Sequence, residues 1–496
     1  MFYQSTRGGE NGINSAAAIT KGLADDGGLY VPESFPKLSL QEIGDLVFLP
    51  YKNRAALVMS KYLSDFSDDE INEYADRAYN ESVFDNAAIA PVYKLNDTTH
   101  FLELWHGPTS AFKDMALQML PRLLTASLKK TDESSEVCVL VATSGDTGKA
   151  ALDGFRDVPG TKIMVFYPNE GVSDVQQLQM TTQEGQNVNV VAVEGNFDDA
   201  QTGVKKIFSD ESLREQLGDM GFFLSSANSI NWGRLVPQIA YYVSAYCDLV
   251  ANGEIELGDK INFCVPTGNF GNILAGYYAE KMGLPIGKLI CASNRNDVLT
   301  QFINTGVYDR NRQFFTTVSP SMDILVSSNL ERLLFEISDK DGHAVSQYMS
   351  ALNESGRYAV SASVMDEILR IFACGACNED ETMSTILEVF TKFNYLMDTH
   401  TSVAYKVLNE YRTVTGDQAP AVVVSTASPF KFCDSVLGAL KQPFSGDGVE
   451  LLEILSKYSG CPVPAPLSAL KGKQPRFLGS VPIGNMKGEV LKFLKG

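Results

Sequence analysis

The chain has 496 residues, of which 44% are hydrophobic and 20% charged, the proportions of a folded protein and not of a disordered one. At about 100–200 residues per domain it is long enough for more than one unit. Lys and Arg total 41 against 60 Asp and Glu, a net charge of -19, which argues against nucleic acid and anionic membranes as partners but leaves room for a small anion held by a local field.

Residues 1–10 lack the apolar core of a secretory signal, so a cytoplasmic protein is expected. Helical spacing predicts helices over 15–23 and 40–64, and an N-terminal subdomain over 1–95. Next comes His106-Gly-Pro-Thr-Ser-Ala-Phe-Lys-Asp114, where Lys113 has no other charge from Leu104 to Phe112 and opens a helix predicted to run to Leu120. A lysine desolvated by apolar neighbours has a depressed pKa and can act as a nucleophile or form a Schiff base. A surface lysine at a helix start is the plain alternative.

From about residue 100 the rhythm changes. Short apolar runs (137–142, 162–167, 188–193, 222–225, 261–265, 289–292 and 421–425) end in Gly, Ser, Asn or Thr loops, and most lead into helical patterns. Such runs predict parallel strands buried on both faces, hence an α/β fold of open, mainly parallel twisted sheets flanked by helices. A smaller α/β domain is expected over 96–215, carrying Lys113, and a larger one over 216–496. The larger includes a mainly helical stretch over 296–420, for example 383–396, and an irregular end. The longest charge-free apolar helix candidate, 235–247, is too short to span a bilayer, which needs about 20 residues.

In open α/β sheets ligands bind beyond the carboxyl ends of the strands. Two such loops are built alike, Thr143-Ser-Gly-Asp-Thr-Gly148 and Thr267-Gly-Asn-Phe-Gly-Asn272. Each places glycines where the backbone meets something closely and then opens a helix, whose free amides and dipole attract an anion. An ATP-binding P-loop fails, because Thr143 replaces its first glycine and Ala150 its metal-binding hydroxyl; neither loop has the dinucleotide G-x-G-x-x-G. A lysine that captures an aldehyde, one nest for a cofactor phosphate and another for an anionic substrate together fit pyridoxal phosphate. Thr426, at the end of the strand at 421–425, supplies a neutral hydroxyl for the pyridine nitrogen.

With these segments assembled, the chain resembles the threonine synthases, pyridoxal-phosphate enzymes of the tryptophan-synthase β-like fold. Tyr3–Gly8, Gly22–Pro32, His106–Asp114, Ala142–Gly148, Gly268–Asn272, Asn294–Leu299, Ser319–Ile324 and Asp398–Thr401 all look like family segments. The resemblance implies a lyase that makes L-threonine and phosphate from O-phospho-L-homoserine and water, the last step of threonine biosynthesis. It implies pyridoxal 5'-phosphate joined to Lys113, held at its phosphate by Gly268, Asn269, Phe270, Gly271 and Asn272, and at its ring nitrogen by Thr426. Ser144, Gly145, Asp146 and Thr147 would receive the substrate carboxylate, and Asn231 and Arg234 its phosphate. The protein would be a monomer or homodimer. Many relatives have histidine where this chain has Ser428, which weakens any role for that side chain.

The four histidines add little: His106 and His400 fall in family-like segments, while His100 and His343 sit among polar residues and are expected at the surface. No Ser-His-Asp or histidine metal spacing occurs. The single Cys374-Gly-Ala-Cys377 lacks a second pair, and Cys138, Cys264 and Cys291 lie in strand-like runs as small hydrophobes. A dehydratase or cysteine synthase of the same cofactor fold, and a non-catalytic anion-binding homologue, are the competing readings.

Overall fold

The computed structural model describes residues 1–169, 172–446 and 448–495. Its centre is a six-stranded sheet ordered Phe372–Ala376, Ile286–Ser293, Ile261–Pro266, Ala421–Ser425, Thr99–Glu103, Val92–Asn96. All neighbours are parallel except the last pair, an antiparallel hairpin at the edge. A five-stranded parallel sheet is ordered Ser480–Pro482, Val188–Glu194, Thr161–Pro168, Glu136–Ala142, Phe222–Ser226. The strands Ile261–Pro266 and Ala421–Ser425 are buried at every residue. That is why they read as unbroken apolar runs with no alternation.

Sheet membership crosses the expected boundaries. Thr99–Glu103, expected with the smaller unit, pairs with Ala421–Ser425 in the large sheet. Phe222–Ser226, expected with the larger unit, pairs with Glu136–Ala142. The end of the chain is not irregular either: Ser480–Pro482 joins Val188–Glu194, and helices run over Gly448–Ser459 and Met486–Lys495.

Local chemistry set other limits. The helix expected over 40–64 is two helices, Leu40–Leu46 and Tyr51–Tyr62, because Pro50 sits at the second helix's N-cap with extended backbone. The helix at Lys113 ends at Leu117, and a second one, with proline at its first turn, runs Leu120–Lys130. Trp232–Ala251 tolerates Pro237 and is buried along nearly its whole length. It packs between helices Tyr51–Tyr62 and Gly271–Met282. No described helix is long and apolar enough to cross a membrane.

His100 is a correction: it lies in the strand Thr99–Glu103 at 1% exposure, covered on both sides, and not at the surface. His343 is exposed. Cys374 and Cys377 flank the end of the strand Phe372–Ala376, unforeseen from the sequence, and both are free thiols.

Candidate active site

The segment before Lys113 is stitched at both ends. Asp114 accepts the amide of Thr109 at 2.9 Å and its hydroxyl at 2.6 Å, closing the turn from below. A Cβ on Gly107 would stand 2.6 Å from that carboxylate, so glycine is required there. Burial raises Asp114 to about 7, against the pull of the Thr109 bonds. Above, Phe112 donates to the Thr426 carbonyl at 2.8 Å and Ser428 to the Ser110 carbonyl at 3.1 Å, with Ser110 in the left-handed region at φ 58°. Lys113 is thereby carried to the end of the strand Ala421–Ser425, beside Thr426, which is buried.

Lys113 itself is 8% exposed. Its Nζ lies 4.7 Å from the centre of the Phe112 ring, 3.4 Å from Asp146 Oδ2 and 3.4 Å from Ser321 Oγ. Burial lowers its pKa; Asp146 opposes that, and the positive charges of Lys431 and Arg234 add to it.

Asp146 opens the helix Asp146–Phe155. Its Oδ1 lies 2.6 Å from Lys431 Nζ and accepts Gln176 Nε2 at 2.8 Å. Burial alone would raise its pKa, but Lys431 and Lys113 hold it far below the usual carboxylate range. The loop before it folds over Thr143, whose Oγ1 accepts the amides of both Gly145 and Gly148 at 2.9 Å. Gly145 is at φ 138° with the Gln176 side chain 2.6 Å from any Cβ. Among the described residues, the amides of Ser144, Asp146 and Thr147 have no acceptor, while Gly145's is spent on Thr143.

The second loop is more open. The amides of Gly268, Asn269, Phe270, Gly271 and Asn272 have no acceptor among the described residues, and they precede the helix Gly271–Met282. Phe270 holds the left-handed conformation, φ 63°, the kind of backbone turn from which anion-binding nests are built. The loop is propped from behind: Asn329 bonds the Asn269 carbonyl and Ser327 the Gly268 carbonyl. Asn272 Oδ1 takes the hydroxyls of Tyr241 and Tyr242 at 2.6 and 2.8 Å, leaving its buried Nδ2 without a partner.

Ser321 joins the two halves. Its Oγ reaches Lys113 and Asp146, and its carbonyl lies 2.5 Å from where a Cβ on Gly268 would stand. Its amide donates to His400 Nε2 at 3.1 Å, and His400 Nδ1 pairs with Asp398 at 2.7 Å. The sequence reading named the segments of Ser321 and His400 without giving them this task. It missed Lys431 and Gln176 altogether, although no other charge lies between Asp417 and Asp434, the same isolation that marks Lys113.

The remaining assignments fare unevenly. Asn231 caps the helix Trp232–Ala251, accepting the Gly233 amide at 2.9 Å and donating to the Ile19 carbonyl at 3.0 Å, so its side chain is committed to the fold. Arg234 is buried, bonds the Ala227 carbonyl at 2.5 Å, and keeps Nε unpartnered. Burial lowers it to about 10. His106 is held between Asp85 at 2.6 Å and Glu103 at 3.0 Å and is committed to that ion-pair cluster. Ser428 caps the turn at Phe430.

Comparison with known proteins identifies the family. Residues 2–79 match a family described as threonine synthase N terminus, and residues 91–427 one described as pyridoxal-phosphate dependent enzyme. The chain is 42% identical over 437 residues to a threonine synthase of Pseudomonas aeruginosa, covering 88% of this chain and 90% of that one. It is 41% identical over 456 residues to human threonine synthase-like 1, covering 90% of this chain but only 60% of that longer protein. The crystal structure of a pyridoxal-phosphate-bound threonine synthase from Brucella melitensis superposes with a TM-score of 0.87 and 37% identity, covering 100% of both chains.

Proposed function

The chain belongs to the threonine synthase family of pyridoxal-phosphate-dependent enzymes, and on that footing we propose that it converts O-phospho-L-homoserine and water to L-threonine and phosphate. The observation that carries this reading is the meeting, through Ser321, of a buried lysine and a run of unspent backbone amides.

The residues present fit the cofactor. The amides of 268–272 would offer their N–H groups to its phosphate at a helix start, and the loop is braced by Asn329 and Ser327. Lys113 would carry the covalent link, and the Thr426 hydroxyl would face the ring nitrogen. When bound, pyridoxal phosphate supplies an aldehyde for amine capture and a ring that draws electrons from the neighbouring carbons.

The protein's own part is positioning and proton traffic. Lys113, buried and depressed in pKa, is an amine that takes a proton from a carbon and returns it. Ser321, held by His400, keeps that amine in place through its hydroxyl. The free amides of Ser144, Asp146 and Thr147 would receive the substrate carboxylate. Arg234, with its unpartnered Nε, is the better of the two residues suggested for the substrate phosphate, since Asn231 is already committed. Closure of these groups against water protects reactive species from early hydrolysis. The reading includes cytoplasmic residence and a monomer or homodimer.

The test is product analysis with O-phospho-L-homoserine. Threonine and phosphate released in equal amounts are expected. Formation of 2-oxobutyrate without threonine, or of pyruvate from serine, would instead place the chain with the dehydratases.

A further inference from the structure

Lys431 is an unusual second lysine in this site. It is 0% exposed, lies in the turn Pro429–Phe432 between two buried phenylalanines, and its Nζ contacts Asp146 at 2.6 Å and the Thr109 carbonyl at 2.9 Å. Burying an ammonium is costly unless it is paired and hydrogen-bonded, and here the pairing is with the same carboxylate that faces Lys113. Asp146 is shared unequally: Lys431 sits at 2.6 Å and Lys113 at 3.4 Å.

We infer that Lys431 is a positioning residue for Lys113: it claims Asp146 at the shorter distance and so leaves the Lys113 amine neutral in a buried place that an unopposed carboxylate would make cationic. This rests on the role proposed above for Lys113. The charged groups facing Lys113 are Asp146 from the helix Asp146–Phe155, Lys431 from the turn Pro429–Phe432 and Arg234 from the helix Trp232–Ala251. Asp114, next along its own helix, is turned away and bonded to Thr109. His400 reaches the site only through the Ser321 amide, to which its Nε2 is an acceptor. Asp146 thus stands between Lys431 and Lys113, with Arg234 a further cation acting on Lys113, and a charge on Lys113 itself is disfavoured. Removing Lys431 would leave a buried aspartate whose only near counter-ion is Lys113, and an opposite charge at that range raises a lysine's pKa by about 1–3 units.

The experiment measures the protonation of Lys113 itself. The full-length chain freed of cofactor is labelled with acetic anhydride across a pH series, and the peptide holding Lys113 is quantified by mass spectrometry. Wild-type Lys113 is expected to titrate below the ordinary lysine value of about 10.4. Lys431→Met should move that midpoint upward by about one unit or more. The double variant Asp146→Asn with Lys431→Met, which removes both charges together, should return it to within about half a unit of wild type. A role for Lys431 in packing alone would leave the single variant at the wild-type midpoint and lower that of the double variant, in which Asp146 is lost without compensation. If Lys431→Met does not fold, the double variant decides: a midpoint near wild type supports the cancellation, and one more than about a unit lower overturns it, because Asp146 was then acting on Lys113 unopposed. A depressed wild-type midpoint that Lys431→Met leaves unmoved overturns this inference alone. A wild-type midpoint in the ordinary lysine range overturns the desolvated-lysine reading and this inference with it.

Discussion

Lys113 Nζ and Ser321 Oγ lie 3.4 Å apart, although 208 positions separate them in the chain. That contact ties the lysine to the glycine loop, because the Ser321 carbonyl is the atom pressed against Gly268. Everything proposed about catalysis depends on this convergence of three chain segments.

Gly268 is where the loop has least room. Valine there would drive its Cβ toward the Ser321 carbonyl, a backbone atom that cannot swing aside, and would displace the amides of 268–272. Gly268→Val should weaken pyridoxal-phosphate affinity about tenfold or more, a loss of ~1.4 kcal/mol or greater, measured by equilibrium titration of the cofactor-free protein. Unchanged affinity would remove the phosphate from this loop.

Thr143 organises the other loop through one oxygen that accepts two amides. Thr143→Val keeps the shape and removes the acceptor. With two buried amides left unpaired at ~1–3 kcal/mol each, denaturant unfolding should show a loss of about 2–6 kcal/mol. The Michaelis constant for substrate should rise more than turnover falls, since the loop would receive the carboxylate. A variant as stable as wild type would mean that the amides find other partners.

His106 gives a pH signature. Burial alone would lower its pKa, but Asp85 and Glu103 raise it to about 9 from 6.5. A raised pKa stabilises the folded state fully below about pH 6.5, and that stabilisation is lost as pH climbs through about 9. Wild type should therefore exceed His106→Gln in stability by a pH-dependent part of ~1–3 kcal/mol at pH 6, and the gap should shrink by pH 9.5. Melting curves of both proteins at the two pH values measure it. A constant gap would show that folding leaves the His106 pKa unmoved, and a gap that widens with pH would show it held neutral in the fold.

Much of this is legible in the sequence. The strands Glu136–Ala142, Ile261–Pro266 and Ala421–Ser425 announce themselves because burial on both faces demands uninterrupted apolar residues. Lys113 and the glycine loop were legible because charge isolation and turn chemistry are local signals. Ser321 was not: it sits in the short turn Pro320–Met322, and its importance comes from meeting Lys113, Asp146 and Gly268, none of them near in sequence. Asn231 is ambiguous in sequence because a polar residue after a strand can serve a ligand or cap a helix, and its side chain here caps the helix Trp232–Ala251. The edge strand Val92–Asn96 and its neighbour Thr99–Glu103 alternate weakly, so their membership in the large sheet depends on pairing with a strand more than 300 positions later, whose register partners include Ala421 and Thr99.

The most direct measurement fixes the cofactor in place. The purified protein, yellow when loaded, is reduced with borohydride, digested and mapped by mass spectrometry. The pyridoxal-phosphate mass should fall on Lys113, and Lys113→Ala should lose both that adduct and threonine formation. An adduct on Lys149 or Lys431 instead, or an alanine variant that turns over at the wild-type rate, would contradict the account.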